Sequence, residues 1–191
     1  MNFLNHNKLI LIGASTGGPG LLESIVTTLP PKIVTPIIIA QHMDRLSLES
    51  FAKRLNRINN ITVEFVTEKT VLCEGVIYLI GDTSVMQKES SSYFLEPCSH
   101  ATGFYHPTID ELFFSVAKLP DLEIHAYLLS GIGADGAKGL LALKEAGAKT
   151  VAQDEATSIV YGMPKSAVEM GAALKVMSID KIKEDINVLV V

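Results

Sequence analysis

The segment from Lys8 to Gly20, KLILIGASTGGPG, constrains the fold of this chain more than any other part of the sequence. Residues 9–12 are leucine and isoleucine, a composition typical of a strand that is buried on both faces of a parallel sheet. The glycines that follow permit a sharp turn, and Ser15 lies in that turn directly before a helical pattern. The segment therefore predicts a strand, a tight turn and a helix, the repeating unit of an α/β fold.

The turn from Gly13 to Gly17 also matches G-x-S-x-G, a pattern in which the serine hydroxyl stands above the sheet edge as a nucleophile. Backbone N–H groups of Thr16, Gly17 and Gly18 would open the following helix, where negative charge is favoured, and could stabilise an oxyanion. A glycine-rich turn of this kind can equally bind a phosphate or serve only as a tight connection. The motif by itself leaves these three interpretations open.

Two further polar residues follow buried strands in the same way. The apolar run 34–40 is followed closely by His42, and the run 123–130 leads into a glycine-rich loop that contains Asp135. The carboxyl ends of parallel strands lie along one edge of a sheet, and ligands bind outside that edge. We therefore expect Ser15, His42 and Asp135 to lie close together.

These three residue types are those of a nucleophilic triad. A serine hydroxyl is a weak nucleophile near neutral pH and needs a base that titrates in that range, a role that His42 can fill. A carboxylate then fixes the imidazole tautomer and stabilises the imidazolium, the role that we assign to Asp135. Taken singly, His42 could be a structural histidine and Asp135 an N-terminal cap for the next helix. The joint placement favours a triad, although its order along the chain differs from that of α/β-hydrolases.

Longer segments around these residues resemble a known family. In chain order they are IGASTGG, IIIAQHM, HPTIDELFFSVA, LLSGIGADGAKGL, AGAKTVAQDEATSIVYGMP and AVEMGAA. With them the chain resembles, over nearly its whole length, the catalytic domain of the CheB-type protein-glutamate methylesterases of bacterial chemotaxis. The family's catalytic serine, histidine and aspartate fall on Ser15, His42 and Asp135.

The resemblance implies a function and further site residues. Members of the family hydrolyse γ-glutamyl methyl esters on the cytoplasmic helices of chemoreceptors, and many also deamidate receptor glutamines. Methylated chemoreceptors are then the expected partner. The resemblance also implies that the backbone N–H of Ile132 contributes to the oxyanion hole, beside Thr16 and Gly17. Family members commonly carry methionine at this position, and isoleucine supplies the same backbone donor.

Charge and residue usage exclude several other classes of function. The net charge of −5 and the lack of a basic tract argue against a nucleic-acid partner. The spacing of Cys73 and Cys98 fits neither a metal site nor a redox motif, and no histidine pair has zinc-ligand spacing, so we expect no metal and no cofactor. The sequence shows no signal peptide and no apolar run long enough to span a membrane. We therefore expect a cytoplasmic protein without membrane insertion.

The order of apolar runs predicts a doubly wound, mostly parallel sheet in a single α/β domain, with helices on both faces and an antiparallel β edge. The antiparallel strands are expected in residues 73–81 and 91–97, where turns and polar residues interrupt the α/β alternation. Alternation returns with a helix at 107–118 that has a proline in its first turn. With 48% hydrophobic residues among 191, the chain can bury a full core.

The sequence before the first strand bears on regulation. Most members of the family carry an N-terminal receiver domain whose phosphorylation relieves occlusion of the active-site cleft, whereas seven residues precede Lys8 here. Because a folded domain needs roughly 50 residues or more, we expect residues 1–191 to form a single catalytic domain without a receiver domain, acting as a monomer. The cleft is then expected to be open by default, and a phosphodonor with Mg²⁺ should leave the hydrolysis rate unchanged.

Two alternative functions remain to be weighed. A short-chain dehydrogenase would use the glycine turn for a nucleotide and Tyr161 and Lys165 as its Y-x-x-x-K pair. However, Pro19 replaces the last glycine of the nucleotide turn, and Pro164 would break the helix that the pair requires. A catalytically inert adaptor at the receptor array could keep the fold, but all three triad residues are retained. Nucleotide binding would identify the first alternative, and failure of a fluorophosphonate to label Ser15 would identify the second.

Overall fold

The structure, a computed structural model, describes residues 7–98, 106–119 and 121–191. The apolar run after Lys8 forms β1 (Lys8–Ala14), the middle strand of a seven-stranded sheet whose neighbouring strands all run parallel. From one edge to the other, the remaining strands are β10 (Lys175–Met177), β9 (Lys149–Gln153) and β8 (Glu123–Leu128), then, beyond β1, β2 (Ile37–Gln41), β5 (Val76–Ile80) and β3 (Thr62–Val66).

Helices cover both faces of this sheet. The face called here the front face carries α3 (Ile109–Ala117), α4 (Ala137–Glu145) and α5 (Met163–Glu169). The opposite face, called the back face, carries α1 (Gly18–Thr28), α2 (Arg45–Ile58) and α6 (Ile179–Leu189). Because side chains alternate along a strand, Leu9 and Leu11 of β1 pack in the front core, whereas Ile10 and Ile12 pack in the back core. The predicted doubly wound architecture is thus confirmed.

The predicted antiparallel strands are placed differently. A separate three-stranded antiparallel sheet exists, in which β7 (Ser92–Pro97) lies between β4 (Thr70–Val71) and β6 (Ser84–Glu89). It packs against α3, where the amide of Met86 donates to Ser115 Oγ at 2.8 Å. The run 73–81, however, contains β5, a parallel strand inside the main sheet, so its prediction as an antiparallel edge was wrong. Its uniformly apolar residues suit a strand that is buried on both faces.

The buried strands expected in 34–40 and 123–130 are present as β2 and β8, with ends that differ by at most three residues. The proline expected in the first turn of the helix at 107–118 lies outside it, because α3 begins at Ile109 with Thr108 as its N-cap. Three strands, β4, β6 and β10, were not predicted. They are short or carry polar residues, so their sequences lack a clear apolar run.

A glycine lets α3 approach the end of β1. A Cβ atom on Gly13 would lie 2.6 Å from Ile109 Cγ2, too close for two carbon atoms. The first turn of α3 therefore lies directly over the last residues of β1, beside the loop that follows β8. Among the helices that the structure describes, none combines the length and the apolar character that crossing a bilayer requires. Cys73 and Cys98 are not disulfide-bonded.

Candidate active site

Ser15 and His42 are brought together by the register of two neighbouring strands. Ala14 at the end of β1 pairs with Gln41 at the end of β2, and the amide of His42 donates to the carbonyl of Ala14 at 3.0 Å. Ser15 and His42 are thus the next residues on strands about 4.8 Å apart. Ala14 packs in the back core and Ala40 in the front core, so alternation turns the side chains of Ser15 and His42 to the front face.

His42 makes a direct contact with Asp135. Its Nε2 atom lies 2.7 Å from Oδ2 of the carboxylate, and the two side chains are 7% and 6% exposed. A neutral imidazole that donates from Nε2 has its basic lone pair on Nδ1, so Nδ1 is the nitrogen that can take up a proton. In the serine-protease triad the aspartate instead binds Nδ1, so the two ring nitrogens exchange roles here.

Asp135 is held by the amino end of α3. Its Oδ2 also accepts the amide of Ile109 at 2.8 Å, and its Oδ1 accepts the amides of Asp110 and Gly136 at 3.0 Å each. Burial by itself raises the pKa of Asp135, but the hydrogen bonds from His42 and from the two α3 amides outweigh burial and hold this pKa below its ordinary value. The carboxylate is therefore ionised and suited to stabilise a positively charged imidazole.

A second carboxylate, Asp110, lies next to Asp135. Its Oδ1 accepts the amide of Gly139 at 2.7 Å, which links the start of α3 to the first turn of α4. Burial, followed by the negative charge of Asp135, raises the pKa of Asp110 to about 6, against the effect of the Gly139 and Gly136 amides. Asp110 was not among the predicted site residues. Asp110 could have been identified from the sequence by its position in the first turn of a predicted helix, where carboxylates are favoured.

The predicted oxyanion residues lie on two loops beside Ser15. Thr16 and Gly17 form the turn between β1 and α1, and Gly17 is the N-cap of α1 with a φ of 84°. Ile132 lies in the loop after β8 and is 55% exposed. Among the hydrogen bonds of the described residues, none uses the backbone N–H of Thr16 or of Ile132. Both donors are thus available to a substrate oxygen, and their roles stay predictions.

Ser130 ties these two loops together. Its Oγ donates to the carbonyl of Thr16 at 2.7 Å and accepts the amide of Val160 at 2.9 Å. Its backbone carbonyl accepts the amide of Ser15 at 3.0 Å, and its backbone amide donates to Oε1 of Gln153 at 2.9 Å. Ser130 is fully buried, so each of these polar groups would be costly to leave unpaired.

Two buried glutamines at strand ends were not among the predicted site residues. Gln41 ends β2 and Gln153 ends β9, and alternation from Ala40 and Ala152 places both side chains on the back face. The pattern from which the triad was predicted, a polar residue at the carboxyl end of an apolar strand, also occurs at Ser130 and at both glutamines. The side chains of these three residues, however, form hydrogen bonds with backbone groups.

Apolar side chains are exposed close in the fold to the segments that carry Ser15 and His42. A groove of about 430 Å³ between α1 and α2 is lined by Pro19, Met43, Leu46, Ser47, Ser50, Phe51 and Arg54. Leu46 is 77% exposed and Ile159 is 67% exposed. Ile159 packs against the turn before α1, where a Cβ on Gly17 would lie 2.7 Å from the Ile159 Cβ. Apolar side chains are therefore presented to solvent around the reactive edge.

The structure does not support the Y-x-x-x-K pair on which the dehydrogenase alternative depends. Tyr161 precedes α5, which begins at Met163, so Tyr161 and Lys165 do not share a helix face. Across residues 7–98, 106–119 and 121–191, no cluster of histidine, cysteine and carboxylate side chains could hold a metal ion.

Comparison with known proteins relates most of the chain to one family. A family model described as CheB methylesterase matches residues 10–186. The protein-glutamate methylesterase/protein-glutamine glutaminase 1 of Carboxydothermus hydrogenoformans is 37% identical over 187 residues, and a protein-glutamate methylesterase/protein-glutamine glutaminase of Photorhabdus laumondii is 39% identical over 185 residues. Each alignment covers 95% of this chain but only 55% and 52% of the relatives. The chain thus spans about half the length of the curated relatives it matches.

The fold is also similar to that of a solved structure. The crystal structure of the Thermotoga maritima CheB methylesterase catalytic domain matches with a TM-score of 0.89 and 31% sequence identity, covering 96% of this chain and 98% of that chain. This likeness confirms the predicted fold class and the resemblance read from the motifs.

Proposed function

The chain belongs to the CheB methylesterase family, and we propose that it hydrolyses γ-glutamyl methyl esters on the cytoplasmic helices of chemoreceptors, with Ser15 as nucleophile, His42 as base and Asp135 as the orienting carboxylate. The names of its relatives include a glutaminase activity, so we also propose deamidation of glutamine side chains at this site. The observation that carries the proposal is the buried 2.7 Å contact between His42 and Asp135, beside Ser15 in strand register.

In the first half of the reaction, Ser15 Oγ attacks the carbonyl carbon of the ester while His42 Nδ1 takes up the hydroxyl proton. The ionised Asp135 stabilises the imidazolium that forms. The oxyanion of the tetrahedral intermediate accepts hydrogen bonds from the backbone N–H groups of Thr16 and Ile132, and Gly17 is a further oxyanion or substrate-binding residue. The intermediate collapses when the bond to the methoxy oxygen breaks. His42 protonates that oxygen, methanol leaves, and an acyl ester remains on Ser15.

In the second half, a water molecule takes the place of methanol. His42 removes a proton from this water as its oxygen attacks the acyl carbon, and the new tetrahedral intermediate uses the same N–H donors. Ser15 Oγ then leaves with the proton from His42, and the glutamate carboxyl group is released. With a glutamine substrate the same steps hold, except that ammonia is the first leaving group.

The surroundings of the triad suit a protein substrate. Ser15 is 8% exposed, so a long side chain such as a glutamyl ester must reach down to it from the surface of its own protein. The exposed Leu46 and Ile159 offer apolar contacts to such a surface. We propose that residues 1–191 act as one catalytic domain, as a monomer in the cytoplasm, on methylated chemoreceptors.

Release of methanol from methylated receptor membranes tests this function directly. The parent chain should release methanol and should be labelled at Ser15 by a fluorophosphonate, whereas Ser15→Ala should do neither. Labelling of the parent without methanol release would contradict the substrate and leave the nucleophile in place. A parent chain that neither releases methanol nor reacts with the probe would favour the inert adaptor.

A further inference from the structure

Gln41 lies where the strands that lead to Ser15 and His42 come together. Its side chain is almost fully buried, with 1% exposure. The Nε2 group donates to the backbone carbonyl of Ser15 at 2.9 Å and to the backbone carbonyl of His42 at 3.0 Å. One carboxamide therefore binds the main chain of the proposed nucleophile and that of the proposed base at the same time.

The other end of the carboxamide is packed against a helix start. Oε1 of Gln41 is buried and accepts no hydrogen bond within the described part of the chain. It lies against Gly18, the first residue of α1, where a Cβ would come within 2.0 Å of Oε1. The Gly18 amide already donates to the carbonyl of Ser15 at 2.8 Å, and Pro19 has no N–H to offer.

The two ends of the Gln41 carboxamide have opposite effects on stability: Oε1 is buried without a donor among the described residues, and Nε2 forms two hydrogen bonds. A buried oxygen without a donor is unfavourable, and an apolar side chain of similar length would avoid it. The carboxamide therefore differs from such a side chain favourably only through its two N–H bonds, to Ser15 and His42. Because the side chain enters from the back face, it touches none of the reacting atoms on the front face.

We propose that Gln41 is a positioning residue, which fixes Ser15 relative to His42 by holding both backbone carbonyls. Gly18 is part of the same arrangement, because only a residue without a side chain leaves room for the carboxamide. The inference rests on the proposed function, since it takes Ser15 and His42 as nucleophile and base.

Gln41→Met tests the inference, because methionine keeps the length of the side chain and removes both donors. We expect kcat for methyl-ester hydrolysis to fall roughly tenfold to 10²-fold, with KM unchanged, since small displacements of reacting groups cost this much. The rate at which a fluorophosphonate labels Ser15 should fall by the same factor. This second assay reports on the nucleophile even when no receptor substrate is present.

Gly18→Ala approaches the same contact from the other side. Its methyl group would displace the carboxamide, so a comparable loss of kcat is expected. Because both substitutions would remove the same two hydrogen bonds, the loss of kcat in the double variant should be smaller than the two single losses combined. A role in stability alone would not produce this non-additivity. If Gln41→Met does not fold, the Gly18→Ala labelling rate decides the question.

Thr150→Val is the matched control. Thr150 is 1% exposed, and its Oγ1 donates to the carbonyl of Ala172 at 2.7 Å and accepts the amide of Leu174 at 3.1 Å, near the amino end of β9. The Thr150→Val substitution should lower the melting temperature and leave kcat unchanged.

The labelling assay distinguishes failure of this inference from failure of the proposed function. A parent that labels at Ser15 and a Gln41→Met chain that labels equally fast would overturn the inference and leave the proposed function standing. Additive losses in the double variant would also overturn it. A parent that neither hydrolyses the ester nor reacts with the probe would overturn the proposed function, and this inference with it.

Discussion

The front and back faces of the main sheet differ at its carboxyl edge. On the front face lie Ser15, His42 and Asp135, of which the last two are in direct contact at 2.7 Å. On the back face, Gln41 and Gln153 occupy the ends of β2 and β9, and each binds backbone groups of the loops that form the site. The front face thus presents groups that carry or exchange protons, and the back face presents neutral amides.

This difference separates two physical tasks. Proton transfer near neutral pH requires a group that changes charge in that range, such as histidine. Holding loops in place requires hydrogen bonds that persist through every charge state, which a carboxamide provides because it does not titrate. Substitutions on the front face should therefore change the chemistry, and those on the back face should lower rate or stability without changing the response to pH.

The largest effect is expected from Ser15→Ala on the front face. Turnover should fall roughly 10⁴-fold or more, and His42→Gln should cost about as much, because nucleophile and base act as one unit. The double variant should be no worse than either single variant. Methanol release gives the rates, and unchanged melting temperatures serve as the folding control. Substantial turnover by Ser15→Ala would remove the reaction from the front face.

Asp135→Asn should lower turnover by roughly 10⁴-fold, the loss known for a wrongly held imidazole tautomer in serine proteases. In the parent, the carboxylate of Asp135 lies 2.7 Å from His42 Nε2 and stabilises the imidazolium that forms during turnover. In the variant the negative charge that stabilises the imidazolium is absent. The measurements are kcat as a function of pH and circular dichroism for the fold. A well-folded variant within tenfold of the parent would contradict the role of the carboxylate.

Ile132→Pro tests the proposed oxyanion donor in the loop after β8. Proline removes the backbone N–H, so a loss of roughly 10²-fold to 10³-fold in kcat is expected if this donor binds the oxyanion. Ile132→Met keeps the donor and should stay within a few-fold of the parent, which controls for the side chain. Urea denaturation checks that the proline variant is folded. Equal kcat in both variants would place the donor elsewhere.

On the back face, Gln153→Met should act mainly on stability. It leaves the Ser130 amide and the Thr157 carbonyl without their partner, and the buried Ser130 amide alone should cost about 1–3 kcal/mol. The free energy of unfolding in urea measures this loss. The pH at which activity reaches half its maximum should be that of the parent. A shift of that midpoint would contradict the expectation that substitutions on the back face leave the pH dependence of activity unchanged.

The smallest effect is expected from Asp110→Asn. The folded-state pKa of about 6 lies above the ordinary value of 3.8, so the stability that Asp110 contributes is fully present below pH 3.8 and is lost as the pH rises through 6. The parent should therefore gain melting temperature relative to the variant as the pH is lowered through this window. Asp135 acts in the opposite sense, below pH 3.8, because its pKa is lowered. Equal pH dependence of the two melting temperatures would contradict the raised pKa.

Much of the front face follows from the sequence. Leucine and isoleucine runs identify buried parallel strands, and parallel topology places all their carboxyl ends at one edge. Ser15 and His42 could be selected on this basis alone, because each lies directly after such a run. The family and the fold class were predicted from the same segments and are confirmed. The catalytic roles of the three triad residues stay predictions that the kinetic measurements above decide.

The tertiary structure decided what depends on contacts between distant segments. An apolar run such as 76–80 suits a buried strand in either direction, and its parallel pairing with β2 and β3 is settled by which strand edges are available in the folded chain. The contact of Asp135 with Nε2 of His42 and with the α3 amides depends on how closely α3 approaches Gly13. Likewise, the sequence does not distinguish Gln41 from other polar residues at the ends of strands. Its role follows from the close approach of Gly18, which turns the carboxamide toward the backbone of Ser15 and His42.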